Sequence, residues 1–182
     1  MLVFLLIILV LIFVLLISIL LFFLFLTIDI FLELPFVGTK KEKIQTILKL
    51  AQIKKAVGPE SNRRREIVID LGSGDGRLLF AAAQKGARAI GYELNPFLVL
   101  LTQIRARRID KGSVDVKRQN FWKADLSRAD VIFVYSFRKT MQKFEDFVYK
   151  NAKKGTRIIA NTNPFPNKKP LKSQNGFFLY II

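Results

Sequence analysis

The sequence predicts a doubly wound α/β sheet that follows one N-terminal transmembrane helix. Three observations support this fold class. Residues 2–26 contain no charged side chain, helical and strand-like patterns alternate from residue 66 onward, and the strand-like runs are short and almost entirely apolar. These patterns divide the 182 residues into an anchor at 1–28, a linker with a basic amphipathic helix at 29–65, and an α/β domain at 66–182.

The apolar segment at the N-terminus is long enough to cross a bilayer. Residues 2–26 exceed the roughly 20 residues that span the hydrocarbon core as a helix. A cleaved signal peptide is the alternative, but the segment has no basic residue before the apolar run and no Ala-x-Ala cleavage site. We therefore expect a single-pass membrane protein.

Basic residues follow the anchor directly and predict its orientation. Because positive charge beside a span stays on the cytoplasmic side, we expect the N-terminus outside and the C-terminal domain in the cytoplasm. The same charges suit contact with anionic lipid headgroups, so the bilayer is an expected partner. The basic residues are Lys40, Lys41, Lys43, Lys49, Lys54, Lys55, Arg63, Arg64 and Arg65.

The linker contains one predicted amphipathic helix at residues 39–57. Thr39 and Glu42 have the spacing of a capping box, and apolar residues recur at helical spacing after them. Gly58 and Pro59 then supply a stop signal.

The α/β domain alternates six strand-like runs with three helical patterns. Strands are predicted at residues 66–71, 87–93, 114–119, 131–136, 156–161 and 176–182, and helices at 76–86, 96–112 and 139–155. In sheets of this type, ligands bind at the carboxyl ends of the strands, where the strand order reverses.

Composition excludes several kinds of chemistry. The chain has no Cys and no His, so it has no disulfide, no thiolate nucleophile, no zinc site built from Cys or His, and no histidine base. We expect no metal. The formal charge of +16 permits a nucleic-acid partner, but we do not expect one.

A glycine turn follows the first predicted strand. The run from Asp70 to Gly76 reads D-x-G-x-G-x-G, with Gly72, Ser73 and Gly74 between them. Glycines let the backbone pass close beneath a ligand, and the following helix presents unpaired N–H groups. A dinucleotide fingerprint needs its third glycine at position 77, which is an arginine, so the spacing disfavours NAD and FAD.

An acidic residue closes the second predicted strand. Glu93 follows Gly76 by 17 positions and is placed to accept hydrogen bonds from two ribose hydroxyls. Asp70 closes the first strand, where it would orient the amino-acid end of a cofactor that carries a sulfonium and an ammonium.

The runs VIDLGSGDGRLLFAAAQKG and AIGYELNPFLVLLTQIRARR resemble the membrane-anchored class I S-adenosylmethionine-dependent protein-lysine methyltransferases. Mitochondrial members of that family modify the ATP synthase c-subunit and the adenine nucleotide translocase. The resemblance covers residues 34–182 and is most particular at G-Y-E-L-N-P, residues 91–96. It implies a seven-stranded Rossmann-like methyltransferase sheet, S-adenosyl-L-methionine as cofactor, and a lysine of a membrane protein as acceptor.

The resemblance also assigns cofactor-binding residues beyond the glycine turn and Glu93. Leu94 and Asn95 would lie beside the ribose and adenine, and Asn120, Phe121 and Trp122 next to the adenine. Mitochondrial members carry Asp at position 120, so we expect altered affinity here. Phe36 and Gly38 replace an expected Tyr and Pro, which weakens any capping of the cofactor by that segment. Core packing is the alternative role for Phe121 and Trp122.

Residues on the acceptor side close or follow the fourth predicted strand, or follow the fifth. Tyr135, Ser136, Phe137 and Phe165 are the candidates, and packing is the alternative role for their rings. No residue is assigned as a general base. The run Y-S-F-R replaces the N/D/S-P-P-Y/F/W motif of enzymes that methylate amino groups of nucleic acids. A nucleic-acid acceptor, a lipid or quinone acceptor, and a non-catalytic membrane-tethered scaffold remain alternatives.

Overall fold

The computed structural model describes residues 2–31, 39, 41–53, 64–109, 112–135 and 137–182. The chain forms two compact units, Met1–Phe36 and Val37–Ile182. The predicted capping role of Phe36 and Gly38 lies outside the described residues.

The first unit contains helix α1, Leu2–Phe31. Its segment Leu2–Leu24 has 23 residues and a mean hydropathy of 3.7. The segment is therefore long and apolar enough to cross a membrane. Ser18 Oγ donates to the carbonyl of Val14 at 2.8 Å, which satisfies its hydroxyl within the helix.

Helix α2, Lys41–Ala51, is shorter than the predicted 39–57 helix. Gln52 has a φ of +47°, which leaves the helical region directly after the last turn. The Arg157 guanidinium donates to the carbonyls of Ala51 and Gln52 and pairs with Glu66 at 2.6 Å. A distant arginine therefore caps the helix end, a contact that local sequence does not encode.

The seven-stranded sheet confirms the predicted fold class. Its order is β3-β2-β1-β4-β5-β7-β6; β1 to β5 run parallel, and β7 pairs antiparallel with both β5 and β6. The strands are β1 Ile67–Leu71, β2 Arg88–Glu93, β3 Ser113–Arg118, β4 Val131–Tyr135, β5 Arg157–Asn161, β6 Lys172–Gln174 and β7 Phe177–Ile181.

Three helices complete the second unit: α3 Arg77–Gln84, α4 Pro96–Ala106 and α5 Met141–Asn151. Two short 3₁₀ turns lie at Phe121–Lys123 and Arg138–Thr140. From β1, the sheet extends through β2 to β3 on one side and through β4 to β5 on the other side. Right-handed crossovers then place α3 and α4 on one face and α5 on the other, with the reversal between β1 and β4.

Helices α2 and α3 share one hydrophobic core with the sheet. Ile47 and Ala51 of α2 and Leu79 of α3 are fully buried in one cluster with the strand residues Val68 and Ile159. The predicted helix at 96–112 ends at Ala106 because the chain must turn back to β3. Near that turn Gly112 passes so close to the carbonyls of Ala83 and Ala87 that any side chain would collide with them.

Candidate cofactor site

The glycine turn between β1 and α3 is held against the end of β2. The N–H groups of Gly72 and Ser73 both donate to the carbonyl of Tyr92 at 3.0 Å, and Gly76 N–H donates to Ser73 O at 3.0 Å. Gly72 has a φ of +99° and Gly76 one of +78°, conformations that side chains disfavour. A Cβ at Gly72 would meet no atom within 4 Å, so this backbone faces open space.

Glu93 ties the same turn to the segment after β2. Its Oε2 accepts the N–H of Gly74 at 2.8 Å, and its Oε1 accepts the N–H groups of Leu94 at 2.8 Å and Asn95 at 2.9 Å. The sequence-predicted acid and glycines therefore lie together, at the carboxyl ends of two neighbouring strands.

Asp70 lies beneath this turn and is only 6% exposed. Burial raises the pKa of its carboxyl from 3.8 to about 7, and the negative charges of Glu93 and Asp75 add to the shift. Among the residues that the structure describes, no positive charge offsets the ionised form of this carboxyl. A bound cation would favour ionisation.

Asp75 differs because two arginines offset its charge. Burial acts to raise its pKa, but hydrogen bonds and charge from Arg77, with a further contribution from Arg105, outweigh burial and lower it. Arg77 Nε and Nη2 donate to the two carboxylate oxygens at 2.8 and 2.6 Å, and Nη1 donates to Thr39 O at 2.8 Å. Arg77 thereby links the glycine turn to the segment before α2, a link that the sequence prediction missed.

Asn95 caps α4. Its Oδ1 accepts the N–H groups of Phe97 at 3.0 Å and Leu98 at 3.4 Å, and the residue is 1% exposed. This side chain therefore orients the helix behind the site. Within the described part of the chain, Asn95 Nδ2 and Ser73 Oγ are buried without a hydrogen-bond partner.

The residues after β3 are placed differently from one another. Gln119 N–H donates to Glu93 O at 3.2 Å, which brings exposed Asn120 to the same edge of the sheet as Glu93. Phe121 is 4% exposed and stacks on Phe144 with ring centroids 5.1 Å apart. The Phe121 ring therefore packs in the core of the domain. Trp122 is half-buried, and its ring centroid lies 4.8 Å from that of Phe121.

The described acceptor-side candidates differ in how exposed they are. Tyr135 is half-buried at the end of β4, and Phe137 is 44% exposed just beyond it. Ser136 lies outside the described residues. Phe165 is 3% exposed, its ring lies 4.7 Å from that of Tyr180, and its N–H donates to the Tyr180 hydroxyl at 2.9 Å. The Phe165 ring therefore packs on Tyr180, and its assignment to the acceptor side stays a prediction.

Comparison with known proteins identifies relatives of the second unit. The chain is 33% identical over 138 residues to the human ATP synthase C-subunit lysine N-methyltransferase, across 75% of this chain and 55% of that protein. It is 33% identical over 142 residues to the mouse adenine nucleotide translocase lysine N-methyltransferase, across 77% and 58%. The chain thus spans little more than half the length of these two relatives.

A shorter archaeal relative aligns along nearly its whole length. The protein-lysine N-methyltransferase of Saccharolobus islandicus is 26% identical over 164 residues, across 82% of this chain and 94% of that protein.

Solved structures show the same fold. An RNA methyltransferase from Salinibacter ruber, crystallised with S-adenosyl-L-homocysteine, has a TM-score of 0.70 and 26% identity, across 80% of this chain and 94% of that one. The model of the ANTKMT methyltransferase domain matches residues 70–172, which include the glycine turn, Glu93 and the ends of β3 and β4. The chain belongs to the family of the ANTKMT methyltransferase domain.

Proposed function

We propose that this chain is an S-adenosylmethionine-dependent protein-lysine N-methyltransferase that acts on a membrane protein. The observation that carries the proposal is the hydrogen bond that Glu93 accepts from Gly74 of the glycine turn, close to the buried Asp70 and to the open backbone at Gly72. Its family membership and the names of its curated relatives support the same reading.

The residues present fit this cofactor. A carboxylate offers about four acceptor positions. Glu93 uses three of them on backbone N–H groups, so one is left for a ribose hydroxyl. Asp70 gains a compensating cation when the ammonium and sulfonium of the cofactor lie nearby. A pyrophosphate would fit these residues poorly, because the negative charges of Asp70 and Glu93 would repel it.

When bound, S-adenosylmethionine supplies an electrophilic methyl group for an in-line displacement by an amine. The chain's own task is to position and desolvate the two reactants, which can supply about 7 to 11 kcal/mol of the barrier reduction. Tyr135, the last residue of β4, and Phe137, just beyond the strand, are proposed to hold the lysine ammonium by cation–π attraction. Desolvation of that ammonium lowers its pKa, so deprotonation needs no dedicated base.

The anchor limits which acceptors the domain can reach. We propose that α1 crosses the membrane once, with its N-terminus outside and the methyltransferase domain in the cytoplasm. Thr39, which Arg77 holds beside the glycine turn, follows Phe31 by eight positions. The tether raises the effective concentration of lysines near the bilayer.

Gly91 is expected to be required for the shape of the cofactor site. A Cβ there would lie 2.5 Å from Ser73 Oγ and 2.5 Å from Leu79 Cδ1. Gly91→Ala should therefore push the glycine turn outward, lower the affinity for S-adenosylmethionine at least tenfold and destabilise the fold by about 1 to 3 kcal/mol. Equilibrium dialysis and thermal unfolding measure these effects.

The double variant Gly91→Ala with Ser73→Gly is the matched control for that prediction. It removes the serine contacts, and the Leu79 side chain can rotate, so affinity should recover in part. Unchanged affinity in Gly91→Ala alone would contradict the proposed packing.

The function itself is tested by following the methyl group. Purified full-length chain is added to membranes from cells that lack it, with methyl-labelled S-adenosylmethionine, and label in protein, lipid and RNA is measured separately. We expect label in lysines of membrane proteins, located by mass spectrometry of peptides, and none with the Glu93→Ala variant. Label confined to RNA or lipid would overturn the lysine assignment.

A further inference from the structure

The outward side of α4 is apolar. Phe97, Leu100 and Ile104 recur at helical spacing and are 58%, 55% and 50% exposed. At about 100° per residue, Leu100 and Ile104 lie roughly opposite Thr102, which is fully buried against the glycine turn. A helix on the surface of a soluble domain normally shows the reverse pattern, with polar residues outward.

Positive charge flanks this apolar row. Arg105, with its side chain 49% exposed, and the exposed Arg107 and Arg108 follow along the same segment. Residues 96–109 contain no Asp or Glu. Arg118 is exposed at the end of the edge strand β3, opposite Glu93, and is a fourth cation on this side of the sheet edge. We call Leu100, Ile104, Arg107, Arg108 and Arg118 the α4 surface.

An apolar row with flanking arginines is the composition of helices that lie in the headgroup region of anionic bilayers. The same charges disfavour a second copy of this chain, because two α4 surfaces would bring like charges together. The connection from α1 also keeps this domain near a bilayer, if α1 is inserted as proposed above.

We propose that the α4 surface docks on the anionic lipid surface of the membrane that holds α1. Leu100 and Ile104 enter the headgroup region while the arginines contact lipid phosphates. Docking fixes the orientation of the α/β domain, so that one face of the cofactor site is presented to acceptors at the bilayer. This inference rests on the proposed anchoring by α1 and not on the methyl transfer.

A single fluorescent probe tests the docking. The chain has no cysteine, so Ile104→Cys gives one labelling position for an environment-sensitive fluorophore. Leu171→Cys is the matched control, because Leu171 is 69% exposed and bonds to β7 beside the opposite edge of the sheet from β3. Full-length chains are reconstituted in vesicles of phosphatidylcholine alone or with phosphatidylglycerol, and doxyl lipids and aqueous iodide serve as quenchers.

We expect the Ile104 probe in phosphatidylglycerol vesicles to shift to the blue, to be quenched by doxyl lipids and to lose at least half of its iodide quenching. The Leu171 probe should show none of these changes. Arg107→Glu with Arg108→Glu should reverse the Ile104 result. An Ile104 probe that iodide quenches as strongly as the Leu171 probe would overturn the proposal.

Two further outcomes would also overturn it. Shielding from iodide that grows with protein density, without doxyl quenching, indicates a second copy or another protein on the α4 surface. Equal doxyl quenching of both probes indicates non-specific adsorption. Alkaline extraction of the same vesicles tests α1 separately, since an inserted helix resists extraction whether or not α4 docks.

Discussion

Glu93→Ala is expected to lower the affinity for S-adenosylmethionine at least 100-fold. The variant loses the acceptor proposed for the ribose and leaves the N–H groups of Gly74, Leu94 and Asn95 without their carboxylate. A hydrogen bond to a charged group contributes about 1.5 to 3 kcal/mol, so losing the ribose contact together with the Gly74 contact that shapes the turn accounts for a factor of this size. Equilibrium dialysis with labelled cofactor measures the change.

Glu93→Gln separates the two roles of this residue. Its amide oxygen can still accept the N–H groups of Leu94 and Asn95, but its amide nitrogen would face the N–H of Gly74. We expect intermediate affinity and a smaller loss of thermal stability than in Glu93→Ala. Asp115→Ala, at an exposed position of β3, is the control. Wild-type affinity in a folded Glu93→Ala chain would refute the assigned role.

Asp70→Asn is expected to change how stability depends on pH. The folded-state pKa of about 7 lies above the ordinary 3.8, so the folded state binds a proton more tightly than the unfolded state. Stability from this group is present at low pH and is lost as pH rises from about 4 to about 7, to a total of about 4 kcal/mol. The variant should gain stability relative to wild type between pH 4 and pH 8, as measured by thermal unfolding in detergent micelles.

The same carboxyl should make cofactor binding depend on pH. A cation favours the ionised form of Asp70, so binding releases a proton below pH 7 and wild-type affinity should fall about tenfold between pH 7.5 and pH 5.5. Asp70→Asn should bind weakly at both pH values. Asp115→Asn should follow the wild type in both experiments. An Asp70→Asn chain with the wild-type pH profile would show that another group titrates.

Much of the fold could be predicted because most of its strands are short and largely apolar runs. Strands β1 to β5 and β7 appear within one or two residues of their predicted bounds. Strand β6, Lys172–Gln174, has no apolar residue and is exposed along its length, so only the resemblance to a seven-stranded family indicated it. Helix α2 ends at Ala51, and the carbonyl there is bound by Arg157, which lies more than 100 positions away along the chain.

The candidate site also contains residues whose places could be predicted from the sequence and residues whose places could not. Asp70, the glycines and Glu93 could be placed together because spacing and strand ends fix them. The side chains of Phe121 and Phe165 could not, because an aromatic residue after a strand can turn toward a ligand or into the core. The link from Arg77 to Thr39 was missed because it joins a side chain to a backbone carbonyl, for which no sequence pattern exists.

Calorimetric titration of the full-length chain with S-adenosylmethionine, and separately with NAD, is the most direct test of the cofactor site. The chain is kept in detergent micelles and its folding is checked by circular dichroism. We predict one site per chain with a micromolar dissociation constant for S-adenosylmethionine and no measurable heat with NAD. A folded chain that gives no heat with S-adenosylmethionine, or that binds NAD more tightly, would contradict the account.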